Sequence, residues 1–260
     1  MDSLAAAMNT RRFFADDLAL PGSFIHPKRP LRFPCLNHGR HIVRNSQGAW
    51  LCALVSGRNL ADNNFVGLAA APATASQGSA FHDPIWLTGP AFPGLPCLFE
   101  TAAGPADTAC LFSDSADTLA LFYSNPQGLW RMTADASGPD PWNRLKDAGA
   151  WTGPERLAEP GAALADVAAL PDGRPAIYLL RDGGLFELIP GAAPTLVAQH
   201  AQRPSVFITA EGVRHAAFER ERRVFYTRSA DGRAWTDSRG GAAPEMVAHF
   251  CSSWPSIAVA

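Results

Sequence analysis

Residues 167–198, with the sequence VAALPDGRPAIYLLRDGGLFELIPGAAPTLVA, give the strongest indication of the fold. It holds four short runs of apolar, β-prone residues, and turns that contain Gly, Asp or Pro separate these runs. Runs this short are typical of strands, because a helix needs a longer segment with a period of 3.6 residues. The segment therefore predicts a unit of four short strands.

The same order of runs and turns occurs in three further copies, whose first strands begin near residues 42, 110 and 206. Uneven periods of about 40 to 70 residues with four strands each predict an all-β protein, a β-propeller with four recognisable blades. Only residues 154–170 have a pattern that resembles a helix. We expect an irregular segment over 1–34, blades over 35–250, and the first strand of a further blade at 251–260.

Composition excludes several classes of function. The 260 residues include 22 basic and 24 acidic side chains, a formal charge of −2, which gives no electrostatic reason to expect nucleic acid or an anionic membrane as partner. With 47% hydrophobic and 18% charged residues the chain is expected to fold. No apolar stretch is long enough to predict a membrane-spanning helix. Composition says nothing about the oligomeric state.

Cysteine spacing and local motifs predict neither a metal nor a cofactor. The five cysteines are an odd number without a CxxC pair, and no phosphate loop, GxGxxG, GxSxG or HExxH occurs. Near the N-terminus, Arg11 and Arg12 are followed by Asp16 and Asp17, where a signal peptide needs an apolar run. We therefore expect a cytoplasmic protein, or a secreted one if translation starts upstream.

The segment Ser229–Trp235, with the sequence SADGRAW, follows a predicted third strand. The Ser and Asp side chains can bond neighbouring backbone amides, Gly permits a positive φ, and Trp can fill a gap between strands. The segment resembles an Asp-box, the turn motif of sialidase-like propellers. The resemblance implies that Ser229, Asp231, Gly232 and Trp235 have a structural role. None of them is expected to be catalytic.

The first repeat resembles the opening of sialidase-family enzymes. Arg40 precedes an apolar strand, the strand over residues 50–56 leads to Arg58, and Asp62 follows four residues later. The resemblance implies that Arg40 binds a substrate carboxylate, that Arg58 is a neighbouring pocket arginine, and that Asp62 is the general acid/base. Guanidinium forks suit this role because they bind carboxylates bidentately.

Arg220, at the end of a predicted second strand, is implied to be a second arginine of the carboxylate site. The family's third arginine and its nucleophilic tyrosine should lie in later blades, so the resemblance implies a C-terminally truncated or reduced member. The three tyrosines, Tyr123, Tyr178 and Tyr226, all fall on predicted strands. The glutamate that acts as base beside the nucleophile has no clear counterpart.

Three functions stay open from the sequence. The first is a sialidase-like carbohydrate-active protein that binds an acidic sugar at the central face of the propeller, and hydrolyses it if it is an enzyme. The second is a non-catalytic Asp-box propeller that binds glycan or protein. The third is a propeller-type polysaccharide lyase, in which His38 or His41 would act with Arg40.

Overall fold

The computed structural model describes residues 42–56, 65–75, 81–82, 85–89, 97–100 and 108–248, and two short paired strands, β1 (Ile25–His26) and β2 (Arg29–Pro30). Four larger sheets follow in chain order. The predicted further strand at 251–260 lies outside the described residues. No helix in the described part of the chain is long and apolar enough to cross a membrane.

Blade 1 is the most irregular of the four sheets. Its antiparallel strands are β3 (Ile42–Arg44), β4 (Trp50–Ser56), β5 (Phe65–Ala71) and β6 (Ile85–Gly89). A fifth strand, β7 (Cys97–Glu100), pairs parallel with β6 at the outer edge. The sheet order follows the chain order.

Blade 2 is a four-stranded antiparallel meander, again with its strands in chain order. The strands are β8 (Thr108–Ser113), β9 (Thr118–Asn125), β10 (Gly128–Asp135) and β11 (Trp151–Ala158). A single helical turn, α1 (Trp142–Leu145), lies in the connection between β10 and β11, where its Trp and Leu are buried.

Blade 3 contains the stretch that predicted the fold. Its strands are β12 (Ala163–Ala169), β13 (Pro175–Arg181), β14 (Gly184–Leu188) and β15 (Thr195–Gln199). The helix-like interpretation of residues 154–170 is wrong, because β11 and β12 occupy most of that segment. Its alanines and leucines are spaced for a strand that is buried on both faces, a pattern that short apolar runs share with helices.

Blade 4 repeats the same meander. Its strands are β16 (Gln202–Ile208), β17 (Arg214–Arg220), β18 (Arg223–Ser229) and β19 (Glu245–Ala248). All three pairings are antiparallel, with irregular register in the first and the third.

The four sheets pack on one another through their inner strands. β8 contacts β3 and β4, β12 contacts β8, and β16 contacts β12. Successive residues of the second strands point to opposite faces and fill the gaps on either side. Leu121 thus lies in the core between blades 1 and 2, and Phe122 in the core between blades 2 and 3. Each such buried side chain contributes about 1.5–3 kcal/mol.

This succession of four-stranded antiparallel sheets, ordered from inner to outer strand, is the blade arrangement of a β-propeller. Each blade has two ends. At one end the inner strand begins and a turn joins the second strand to the third. We call this end the entry end. The segment 229–235 follows a third strand and therefore lies at the opposite end.

Candidate functional site

Of the residues predicted to bind a carboxylate, the structure describes Arg220, which lies at the entry end of blade 4. It is the last residue of β17, and the two-residue turn Glu221–Arg222 follows it. Its guanidinium carbon lies 4.8 Å from the ring centroid of Phe225 and 5.3 Å from that of Phe218. Its Nη2 donates a hydrogen bond of 2.6 Å to the backbone oxygen of Gln199 in blade 3.

These contacts hold the Arg220 guanidinium at the gap between blades 3 and 4. Cation–π contact restrains the plane of the group, and the hydrogen bond fixes its direction. A guanidinium carries five N–H donors. Nε of Arg220 is buried and one Nη donor bonds Gln199, so the remaining Nη donors are left for an acceptor outside the protein. The arrangement is suited to an anionic group.

A buried carboxylate lies beside Arg220 in sequence. Glu219 is almost fully buried, and its Oε2 accepts a hydrogen bond of 2.8 Å from Nη1 of Arg203 near the start of β16. Arg203 has a positive φ of 48°. Neither residue belongs to a sequence motif, because two residues 16 apart on neighbouring strands give no local pattern.

The other predicted site residues, Arg40, Arg58 and Asp62, lie outside the described residues. The same is true of His38 and His41, on which the lyase alternative depends. Their roles remain predictions.

The turn at Ser229–Trp235 is held by its own side chains. Oγ of Ser229 accepts from the amide of Gly232 at 2.9 Å, and Oδ1 of Asp231 accepts from the amides of Arg233 and Ala234 at 2.8 and 3.0 Å. These bonds, led by the one from Arg233, lower the pKa of Asp231 to about 2. Gly232 has a φ of +75°, a conformation that favours glycine.

The indole of Trp235 packs against the core between blades 3 and 4 and is only partly buried. Beneath the same turn lies a buried polar network. Nε of Arg214, at the start of β17, lies 3.0 Å from both carboxylate oxygens of Glu187 at the end of β14. The hydroxyl of Tyr178 donates to Glu187 at 2.6 Å, and Nη1 of Arg214 donates to the backbone oxygen of Gly212 at 3.1 Å.

None of the three tyrosines is placed as an exposed nucleophile. Tyr178 is fully buried, and burial followed by the charge of Glu187 raises its pKa well above the usual value. Burial also raises the pKa of Tyr123, to about 12. The hydroxyl of Tyr226 lies 2.7 Å from Nδ1 of His215, and burial of His215 together with the charge of Arg228 lowers the imidazole pKa.

The fold and these contacts define a β-propeller protein with four-stranded blades. No protein-family model matches the sequence, and no curated protein matches it either.

Solved structures similar to this chain come from several organisms. A protein of unknown function from Dyadobacter fermentans has a TM-score of 0.54 and 12% identity, over 83% of this chain and 73% of that one. An endo-arabinase from Bacteroides thetaiotaomicron has a TM-score of 0.48 and 12% identity, over 82% and 80%. An α-L-arabinofuranosidase from Fusarium graminearum has a TM-score of 0.49 and 14% identity, over 84% and 66%. The first similarity shows the fold, and the chemistry has to be argued from this chain's own residues.

Proposed function

We propose that this chain is a carbohydrate-active propeller protein that binds an acidic saccharide at the entry end of its blades. Arg220 would bind a carboxylate of the ligand, together with Arg40 and Arg58. The observation that carries the proposal is the fixed guanidinium of Arg220, which stacks on Phe225 and keeps most of its donors unused by the described residues. A preorganised fork loses little entropy when a carboxylate binds.

Binding without hydrolysis is the form of this function that the contacts favour. A sialidase-like reaction needs a tyrosine nucleophile with its base. The Tyr178 hydroxyl does have a glutamate neighbour, Glu187, but both side chains are buried between blades 3 and 4. Hydrolysis would also need Asp62 as the proton donor. It therefore stands second to binding.

The test is calorimetric titration of the full chain with sialyllactose and with oligogalacturonate, and with a neutral arabino-oligosaccharide as reference. We expect binding of an acidic ligand and none of the neutral one. Arg40→Ala and Arg220→Gln should each weaken binding at least about tenfold, because each removes a charge-assisted contact with the ligand.

Arg174→Gln is the matched control. Arg174 is an exposed arginine that pairs with Asp172 at the opposite end of blade 3, so this variant should bind like the unmodified chain. Equal loss in all three variants, or no binding of any acidic ligand, would refute the proposal. Release of sialic acid would establish the hydrolase instead. Unsaturated uronate products, detected by ultraviolet absorbance, would establish the lyase.

A further inference from the structure

Blades 2, 3 and 4 share a six-residue pattern at the entry end. The last residue of the second strand is followed five residues later by an aromatic residue on the third strand. The three copies read NPQGLW over 125–130, RDGGLF over 181–186 and RERRVF over 220–225. In each copy the side chain of the first residue contacts the ring of the last. Arg181 is therefore the equivalent of Arg220 in the neighbouring blade.

The two arginines have closely similar geometry. The guanidinium carbon of Arg181 lies 5.0 Å from the ring centroid of Phe186, against 4.8 Å for Arg220 and Phe225. Within the described residues, Nε of both arginines is buried and has no hydrogen-bond partner. Contact of these guanidiniums with solvent therefore comes from their Nη ends. The Arg181 side chain is 37% exposed, and its counter-charge among the described residues is Asp182, whose Oδ2 lies 3.7 Å from Nε.

The turns that carry these arginines are tight and alike. In blade 3 both turn residues have positive φ, 50° at Asp182 and 73° at Gly183. In blade 4 the corresponding values are 51° at Glu221 and 61° at Arg222. Two-residue hairpin turns of this kind match the twist of the strands that they join. Both arginines are thus attached to a rigid support.

Blade 2 shows that the turn itself does not need a charge. There Asn125 replaces the arginine, and its Oδ1 accepts a hydrogen bond of 3.0 Å from Nε1 of Trp130. This neutral pair closes the same second-to-third-strand hairpin that the arginine–phenylalanine pairs close in blades 3 and 4. A positive charge at that position in two successive blades therefore requires a reason outside hairpin formation.

The spacing of the two charges follows from the repeat. The ring beneath Arg181, Phe186, packs at the core between blades 2 and 3. The ring beneath Arg220, Phe225, packs at the core between blades 3 and 4, so blade 3 separates the two guanidiniums. Arg220 also reaches back to the backbone oxygen of Gln199 on blade 3, which brings its guanidinium toward the blade that carries Arg181. Two fixed guanidiniums at this separation suit two acidic groups on one chain better than a single carboxylate.

We propose that Arg181 and Arg220 form a two-point site that binds two acidic groups of one polyanionic saccharide chain across blades 3 and 4. This inference rests on the proposed function and extends it, from an acidic sugar to an acidic oligosaccharide, and it adds Arg181 as a binding residue. Each guanidinium holds one acidic group through its Nη donors, while the phenylalanine ring keeps the fork in place.

The experiment compares binding of mono-, tri- and hexagalacturonate by the full chain and by Arg181→Gln, Arg220→Gln and the double variant. We expect the hexamer to bind at least about tenfold more tightly than the monomer. Each single variant should lose about tenfold in hexamer affinity, and the double variant should retain no preference for the hexamer. Binding of the hexamer should weaken with added salt more steeply than binding of the monomer.

Three control variants separate the effect of charge from an effect on folding. Arg174→Gln, at the opposite end, should leave hexamer binding unchanged. Arg181→Asn introduces the residue that blade 2 has at this position, so the hairpin should form and the melting temperature should stay within a few degrees while the affinity falls. Arg181→Lys keeps the charge but loses the planar fork, so its affinity for the hexamer should lie between that of the unmodified chain and that of Arg181→Gln.

The outcomes distinguish this inference from the proposed function. If Arg220→Gln weakens binding while Arg181→Gln and Arg181→Asn bind the hexamer like the unmodified chain, the two-point site is refuted and the single-arginine proposal stands. Equal affinity of the unmodified chain for monomer and hexamer would likewise refute the two-point site. If no acidic saccharide binds to the unmodified chain, both proposals fail.

Discussion

Both carboxylate oxygens of Glu187 accept a hydrogen bond from Nε of Arg214, each at 3.0 Å, across the gap between blades 3 and 4. The residues are 3% and 8% exposed. Tyr178 donates a further hydrogen bond to the same carboxylate. Removal of one partner of a buried pair leaves an uncompensated charge, which costs more than the intact pair contributes.

Glu187→Ala should therefore lower the free energy of unfolding by about 3–5 kcal/mol. Arg214→Ala should have a similar effect, because it leaves the carboxylate unpaired. The combined variant should lose clearly less than the sum of the two. Urea unfolding followed by tryptophan fluorescence measures all three. Additive losses would mean that the two side chains do not stabilise each other.

An exposed ion pair provides the control for that measurement. Arg131 and Glu155 pair across β10 and β11 in blade 2, and the Glu155 side chain is 55% exposed. Because solvent screens such a pair, Glu155→Ala should change the free energy of unfolding by about 0–1 kcal/mol.

Replacement of Gly232 by a residue with a side chain is expected to destabilise the fold. A Cβ at this position would lie 2.7 Å from Nε of Arg214 and 2.8 Å from Oε1 of Glu187. Gly232→Ala should therefore destabilise both the turn and the ion pair beneath it. Gly240 is the matched control, since its φ of +91° is also positive but a Cβ there would meet no atom within 4 Å. The difference between the two alanine variants in urea unfolding should be at least about 1 kcal/mol, and equal losses would contradict the packing described.

Because of Asp231, the stability of the folded chain should fall as the solution becomes acidic. Its pKa in the folded chain is about 2, below the ordinary value near 4, so its contribution is complete above about pH 4. That contribution disappears as the pH falls from about 4 to about 2. Asp231→Asn removes the titration but keeps an acceptor oxygen. The melting-temperature difference between the two proteins should shrink over that range, and a constant difference would contradict the assignment.

Aromatic truncations should rank by burial. Phe218 is fully buried between blades 3 and 4, and Phe218→Ala should cost about 3–5 kcal/mol. Trp235 is partly exposed, and Trp235→Ala should cost less because fewer of its contacts are lost. Urea unfolding of both variants gives the order. A larger loss at Trp235 would show that the indole carries more of this core than its exposure indicates.

The blades could be predicted because their signals are local. The segment 167–198 places its turn residues within a few positions of the strands that they connect, and the structure has strands in all four runs. The one helix-like segment, 154–170, shows the limit of this approach. A strand buried on both faces has no alternation of polar and apolar residues, so periodicity alone cannot distinguish it from a helix.

In the proposed site, only Arg220 has a sequence signal that lies at a single strand end. It is predicted from its position after an apolar strand, and its role in binding stays a prediction. The pairing of Arg214 with Glu187 joins residues 27 apart on different blades, which no local pattern shows. The proposed equivalence of Arg181 and Arg220 has a sequence signal, because an aromatic residue recurs at the sixth position of residues 125–130, 181–186 and 220–225.

The order in which the inner strands touch has a consequence for synthesis of the chain. β8 packs on strands made before it, and so do β12 and then β16. Each described blade from the second onward can therefore dock one face on strands that have already been made, while its other face is covered when the next blade follows. Translation at a steady pace can thus build the described blades in order, which limits the time for which any apolar sheet face stays uncovered.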